Sequence, residues 1–445
     1  MLVFLLGAGL LLSIGTKLVQ YRRMGKAFAL LKDKGADEGD IPPFQSLMSA
    51  MSATIGTGNI VGVATAIAAG GPGAVFWMWL TAIVGGATKF AEAVLAMKYR
   101  ITNEQGERSG GPMYYCSTGM EDRYGGNWKW LGVAFAFFGA IAAFGIGNLT
   151  QVNSIAGGLK SVFNTSPYVT GVILAVLVGI VVIGGIQRIG TVAGYLVPIM
   201  AVFYVIATLI ILFANFDRLG SVFSLIFSYA FNGQAVAGGL LGAVIRNGVA
   251  RGVFSNEAGL GSAPIVHAAS HAKDPVKQGL IASLGCFLDT IIVCTMTALV
   301  ILLSGFVGFG SDGMLTVQDG LTGGALTSEA FGSLLSGGEY IVVLGIALFA
   351  FSTIIGWYYY GYKCLEYLVG SSSGLSMVYK IIWALLSFVG SVVPLSFVWN
   401  LSDTFNGLMA IPNLIALIAL SPVVFAMLGN FEKNGDEYLE EAQEK

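Results

Sequence analysis

The sequence predicts an all-α protein that crosses a lipid bilayer eleven times, as two groups of five helices in opposite orientation plus one extra helix at the N-terminus. Three observations predict it. Of 445 residues 55% are hydrophobic and 11% charged, whereas a soluble domain carries about 25% charged residues. Lys and Arg gather on alternate connections between the apolar runs. Two of those runs, five crossings apart, are interrupted by Gly, Ser, Thr and Asn.

A span needs roughly 20 apolar residues to cover about 30 Å of hydrocarbon. Residues 1–20 supply the first. Their apolar start has no basic region before it, and Lys17, Arg22, Arg23 and Lys26 follow it. That order argues for a membrane helix with its charged end in the cytoplasm rather than for a signal peptide. The 48 residues from Ile41 to Thr88 contain no Asp, Glu, Lys, Arg or His. They are too long for one crossing, and Gly70-Gly71-Pro72-Gly73 divides them in two. Further spans fall at about 131–155, 168–186, 190–215, 236–270, 278–307, 338–362, 377–398 and 402–428.

With the N-terminus outside, 18 of the 23 Lys and Arg residues fall on the cytoplasmic side and two, Lys160 and Arg218, outside; Lys89, Arg246 and Arg251 lie at or within spans. This bias sets the orientation and places the C-terminus in the cytoplasm. The external loop near 309–330 carries Asp312, Asp319 and Glu329 and no Lys or Arg. Residues 99–129 read as a cytoplasmic linker, in part helical, and 429–445 as an acidic cytoplasmic tail. A net charge of -2 gives no reason to expect nucleic acid. Cys116, Cys286, Cys294 and Cys364 have no CxxC spacing and read as free thiols.

The first interruption is SATIGTGNIVG, residues 52–62, and the second RGVFSNEAGLGSAPIV, residues 251–266. Gly weakens a helix, and irregular backbone survives in hydrocarbon when it is buried in protein or lines a polar cavity. Close helix packing is one reading, since Gly58 and Gly62 form a GxxxG. The pairing of two breaks supports another. A shift of five crossings inverts the second unit, so residues 41–215 and 236–428 read as inverted repeats. That is the pattern of a secondary transporter with its site where two broken helices meet. Freed N–H groups attract a carboxylate and freed carbonyls a cation.

The stretches SATIGTGNIVGVATAIAAGGPGAVFWMW and SNEAGLGSAPIVHA resemble the alanine or glycine:cation symporter family of prokaryotic, sodium-coupled transporters. The resemblance covers nearly the whole chain. It implies a leucine-transporter-like fold with residues 1–20 as an added helix, a location in the prokaryotic inner membrane, and Na+ as the coupling ion. It also implies a sodium site of backbone carbonyls at Ser52, Ile55 and Phe349 and hydroxyls of Ser352 and Thr353. Uncharged oxygens of this kind suit sodium as a hard cation, although a Thr hydroxyl can equally bond back one turn. The implied substrate is a small neutral amino acid, alanine or glycine. Its carboxylate would meet N–H groups at Gly56, Thr57 and Gly58 with the Asn59 amide. Its ammonium would meet the second break at Phe254, Ser255 and Gly259. Phe144, Gly147, Gln151 and Trp357 would close the pocket. Gln151 can instead be an interhelical hydrogen bond, and Trp357 a core aromatic.

Glu257 reads as a structural partner of Arg246 or Arg251, or as a substrate contact, with Asp289 a further partner. His267 and His271, four apart, lack the companions of a metal site and read as an interface or solvent pair. A proton-coupled transporter of the same fold is the alternative function. A channel would call for a ring of filter residues, and a membrane hydrolase for a triad the sequence does not display.

Overall fold

The structure is a computed structural model that describes residues 1–33, 39–231, 241–309 and 315–435. Asp312, the tail from 436 onward and the start of the seventh expected span, 236–240, lie outside the described residues.

Helices stand at each of the eleven expected positions. Among the described residues six helices are long and apolar enough to cross a bilayer, or seven if the bent pair Pro43–Thr54 and Gly58–Gly70 is one span. Leu2–Gly15, Pro167–Ile183 and Ser373–Val389 are apolar but shorter. The last two expected spans are shifted, because proline opens helices. Pro394 precedes a helix Leu395–Ala419, and Pro422 lies in the first turn of a separate one, Ser421–Lys433. Proline fits there because the first N–H groups of a helix have no partner to lose.

The connections hold more structure than expected. Residues 99–129 are not a loose linker. They form an antiparallel hairpin, Ile101–Thr102 with Arg108–Ser109, and then a short helical run in which Met113, Tyr115 and Cys116 are fully buried. Helix Phe216–Ala230 occupies a connection that the sequence left unassigned, and helix Gly323–Leu334 begins within what was expected as the external loop near 309–330.

Both interrupted spans are broken. In the first, helix Pro43–Thr54 stops, Ile55 turns to extended backbone (φ -76°, ψ 95°), and a π-helical turn Gly58–Gly62 leads into Val63–Gly70, so that Gly58–Gly70 is bent by 50° from Pro43–Thr54. In the second, helix Leu241–Asn256 stops at Glu257 (φ 57°), passes Gly259 (φ 85°) and Gly261 (φ 82°), and resumes as Ala263–His267. A non-glycine residue with positive φ is uncommon, so Glu257 is held there by its side chain. The breaks touch: a Cβ on Gly58 would lie 3.0 Å from Ser255 Cα.

The two ends of the bundle differ. At one, the chain leading into the first broken helix is stitched to the exit of the second. Ile41 and Ser270 form a parallel bridge, Asp40 N–H donates to Ala269 O at 2.8 Å and His271 N–H to Ile41 O at 2.8 Å. Arg100 donates to the carbonyls of Ala268 and Ser270 at 3.1 and 2.8 Å. Lys363, buried, pairs with Glu107 of the hairpin at 2.8 Å and Glu366 at 3.0 Å. Asp40 accepts the Arg108 N–H at 3.0 Å, and burial raises its carboxyl above the usual range. At the other end a cavity of about 560 Å³ opens among Val61, Thr65, Asn153, Arg251, Gly323 and Trp399.

Candidate functional site

The oxygens expected to hold a cation converge. Ser352 Oγ lies 3.1 Å from Ser52 O, 3.4 Å from Ile55 O and 2.8 Å from Phe349 O. Thr353 Oγ1 lies 3.3 Å from Ile55 O and 3.1 Å from Phe349 O. All five residues are buried. The carbonyls of Ser52 and Ile55 face the hydroxyls because helix Pro43–Thr54 ends there, leaving its last carbonyls without partners within the helix. The hydroxyls donate to carbonyls as drawn; turned, they present lone pairs to an ion while the carbonyls stay in place. The set has five neutral oxygens, suited to sodium and ill suited to a transition metal. Among the described residues no cluster of His, Cys, Asp or Glu suits a metal.

The N–H end of the first break is already engaged. Gly56 N–H donates to Asn59 Oδ1 at 2.9 Å and Thr57 N–H to Gln151 Oε1 at 3.1 Å. Gln151 in turn donates to Ile146 O at 2.9 Å. Gln151 therefore crosses from helix Lys129–Phe163 to the break, and a ligand carboxylate would take over bonds that two side chain amides make here. The Thr57 hydroxyl is buried without a partner.

Asn59 leads to a residue whose part the sequence reading left open. It donates to Asp289 Oδ1 at 2.6 Å, while Ser255 and Thr290 donate to Asp289 Oδ2 at 2.9 and 2.7 Å. The buried carboxylate thus ties the two breaks together. Asp289 sits in a π-helical stretch Phe287–Cys294, as Gln151 follows one at Ala143–Leu149. Such bulges rotate a few side chains out of helical register. The signal available in the sequence was an Asp amid an apolar span.

The second break is shaped by its own polar residues. Asn256 accepts Ala258 N–H at 3.1 Å and donates to Thr81 Oγ1 at 3.1 Å. Glu257 accepts from Trp357 Nε1 at 2.7 Å and Ser262 Oγ at 2.6 Å. It pairs with neither Arg246 nor Arg251, contrary to expectation. Arg251 instead pairs with Asp403 at 2.8 Å and lies over the rings of Phe254 and Trp399, at the mouth of the open cavity. A positive-φ residue turns its side chain away from the helix it ends, and this carries Glu257 inward to Trp357.

Other expected contacts are placed elsewhere. Phe144 packs on Tyr379 and Trp383, with ring centres 5.7 Å apart in both cases. Gly259 faces Leu5, and its carbonyl accepts from Asn413 at 3.0 Å. Gly147 serves close approach, since a Cβ there would stand 2.3 Å from Trp357 Cβ. His267 is buried, with Nδ1 against Ser46 Oγ (3.1 Å) and Gln278 Nε2 (2.7 Å), and is not a solvent residue.

Two broken helices wrapped around a polar centre, open at one end and stitched at the other, make up a leucine-transporter-like fold. Similar folds support this. The structure of MhsT in complex with L-phenylalanine superposes with a TM-score of 0.59 at 12% identity, covering 88% of this chain and 99% of that one. That of a Na+-coupled sialic acid symporter gives 0.55 at 12%, covering 95% and 97%. A model of the sodium:alanine symporter family matches residues 1–445. The sodium/alanine symporter AgcS of Methanococcus maripaludis is 51% identical over 95% of this chain and 92% of its own length. The probable sodium/glutamine symporter GlnT of Bacillus subtilis is 39% identical over 97% and 88%. The chain belongs to the sodium:alanine symporter family, and it is a membrane transporter, not an enzyme.

Proposed function

We propose that this protein is a sodium-coupled symporter that imports small neutral amino acids, alanine or glycine, by alternating access around its two broken helices. The observation that carries the reading is the ring of five neutral oxygens from Ser52, Ile55, Phe349, Ser352 and Thr353, shared between the first break and helix Gly338–Val369. An ion there bonds two elements that must move relative to each other, so its binding biases one arrangement. Residues 41–215 and 236–428 act as inverted repeats, with Leu2–Gly15 added outside them. The bias in Lys and Arg places the stitched end in the cytoplasm, so the open cavity faces outward.

The substrate carboxylate meets the N–H groups of Gly56, Thr57 and Gly58, in place of the Asn59 and Gln151 amides, and its ammonium meets Ser255 and the carbonyl of Phe254. The close approach of Gly147 to Trp357 leaves no space for a large side chain beside them. The names of the related alanine symporter AgcS and of the glutamine symporter GlnT frame the range of substrates. The deciding experiment is alanine uptake into proteoliposomes under an imposed inward sodium gradient. Accumulation above equilibrium is expected with sodium; equal uptake with choline in its place would reject the reading.

A further inference from the structure

Lys89 is the buried charge that the mechanism above leaves unused. It lies in helix Ala74–Lys98, is 2% exposed, and donates a hydrogen bond to Thr54 Oγ1 at 3.3 Å. It forms no ion pair with any described residue. An ammonium has three donors, and burying one calls for compensating partners.

Two features of the surroundings provide compensation. The first is the end of helix Pro43–Thr54. Thr54 is its last residue, and the final carbonyls of a helix carry partial negative charge. Residues 52, 53 and 55 turn toward helix Gly338–Val369, through the Ser52 and Ile55 carbonyls and the contact of Ala53 with Gly356. Thr54 and Met51 lie on the other face, toward Lys89 and Gly285. The same helix end is thus met by the oxygen ring on one side and by the Lys89 ammonium on the other. The second feature is a set of buried carboxyl groups: Glu92, three residues on in the same helix, Glu257 at the second break, and Asp289, bonded to that break through Ser255. Their hydrogen bonds come from neutral groups: Asn413 for Glu92, Trp357 and Ser262 for Glu257, and Asn59, Ser255 and Thr290 for Asp289. None of the three forms an ion pair with a described residue.

We propose that Lys89 is a positioning residue that supplies a tethered cation to the transport site, bracing the end of the first half-helix through the Thr54 hydroxyl and taking the place of a second coupling ion, so that one sodium accompanies each substrate. This rests on the reading of the site as sodium-coupled. A tethered ammonium does the electrostatic work of a second ion without the loss of translational freedom that binding a free one entails. It also explains why the polar centre holds several carboxylates while the oxygen ring holds none.

The test is the sodium dependence of alanine uptake by the full chain in proteoliposomes, with the charge moved per alanine read from the voltage at which flux reverses. Wild-type protein is expected to show a Hill coefficient for sodium of about one, and Lys89→Arg the same; Lys89→Thr, which keeps an oxygen and vacates the charge, is expected to need more sodium, with a coefficient rising toward about two and an added charge per alanine. A residue that merely fills space would shift uptake without moving either quantity. Unchanged cooperativity and charge in Lys89→Thr would overturn the proposal. So would loss of alanine binding at every sodium concentration in folded Lys89→Thr, or a wild-type coefficient of about two, which decides the matter even if Lys89→Thr does not fold. Wild-type uptake indifferent to sodium would overturn the symport reading itself, and this proposal with it. Sodium-dependent wild-type uptake with an unaltered Lys89→Thr profile would overturn this proposal alone.

Discussion

A methyl group on Gly56 would stand 2.4 Å from Thr353 Oγ1 and 3.1 Å from Gln151 Oε1, so this glycine is required by space as much as by backbone. Gly56→Ala is expected to push Thr353 off the ring and raise the sodium needed for half-maximal uptake at least about tenfold, a loss of about 1.4 kcal/mol of ion binding. Unaltered sodium activation in that variant would show that Thr353 is no ligand. Thr353→Ala should act the same way and Thr353→Ser should restore wild-type behaviour, because the hydroxyl and not the methyl faces the ring. Glu257→Gln should keep sodium-driven uptake, since a glutamine oxygen still accepts from Trp357 Nε1 while its amide donates to Ser262. Abolished transport in Glu257→Gln, with Thr353→Ala active, would favour proton coupling. The motif residues at the first break were legible as a set because Gly, Thr and Asn are costly in hydrocarbon. Asp289 and Lys89 stood out as charges in apolar runs, but their partners could not be read. Those partners come from residues up to 230 positions away, as with Asn59 and Asp289.

At the scale of elements, the two ends are held by ion pairs of unequal worth. Lys363 is 1% exposed and Glu366 4%. Lys363→Met leaves Glu366 buried beside a lost charge, and the expected cost is about 3 kcal/mol, read as a lower midpoint in chemical unfolding in detergent. Arg251 and Asp403 are more open, with Asp403 48% exposed. Asp403→Asn should cost under about 1 kcal/mol, because solvent screens the pair. Equal losses would contradict this ranking. The broken spans and their glycines were legible in the chain. The hairpin and buried turn of residues 99–129 were not, since polar residues there satisfy one another across the fold and read locally as loop. The surroundings of Phe144 were hidden for a related reason. The family resemblance implied a place in the pocket, and the π-helical stretch Ala143–Leu149 adds a residue to the turn and sets the ring against Tyr379 and Trp383.

For the whole molecule, sodium and substrate that share one arrangement must strengthen each other's binding by the same factor. Alanine is expected to lower the sodium concentration for half-maximal thermal stabilisation, and sodium to lower that for alanine, by equal ratios; unequal ratios would mean that the two bind different states. The sequence by itself determined a polytopic helical membrane protein and the two breaks, while the oxygen-ring residues were named only through the family resemblance. The first two follow from local physics: apolar runs must cross lipid, and poor helix formers in lipid must be sheltered. Tertiary structure decided how those pieces are used: that Gln151 and Asn59 occupy the freed N–H groups, that Glu257 holds Trp357 while Arg251 holds Asp403, and that one end is stitched and the other open. The reason is that a buried polar group must find a partner, yet many partners satisfy that need equally well, and packing alone chooses among them.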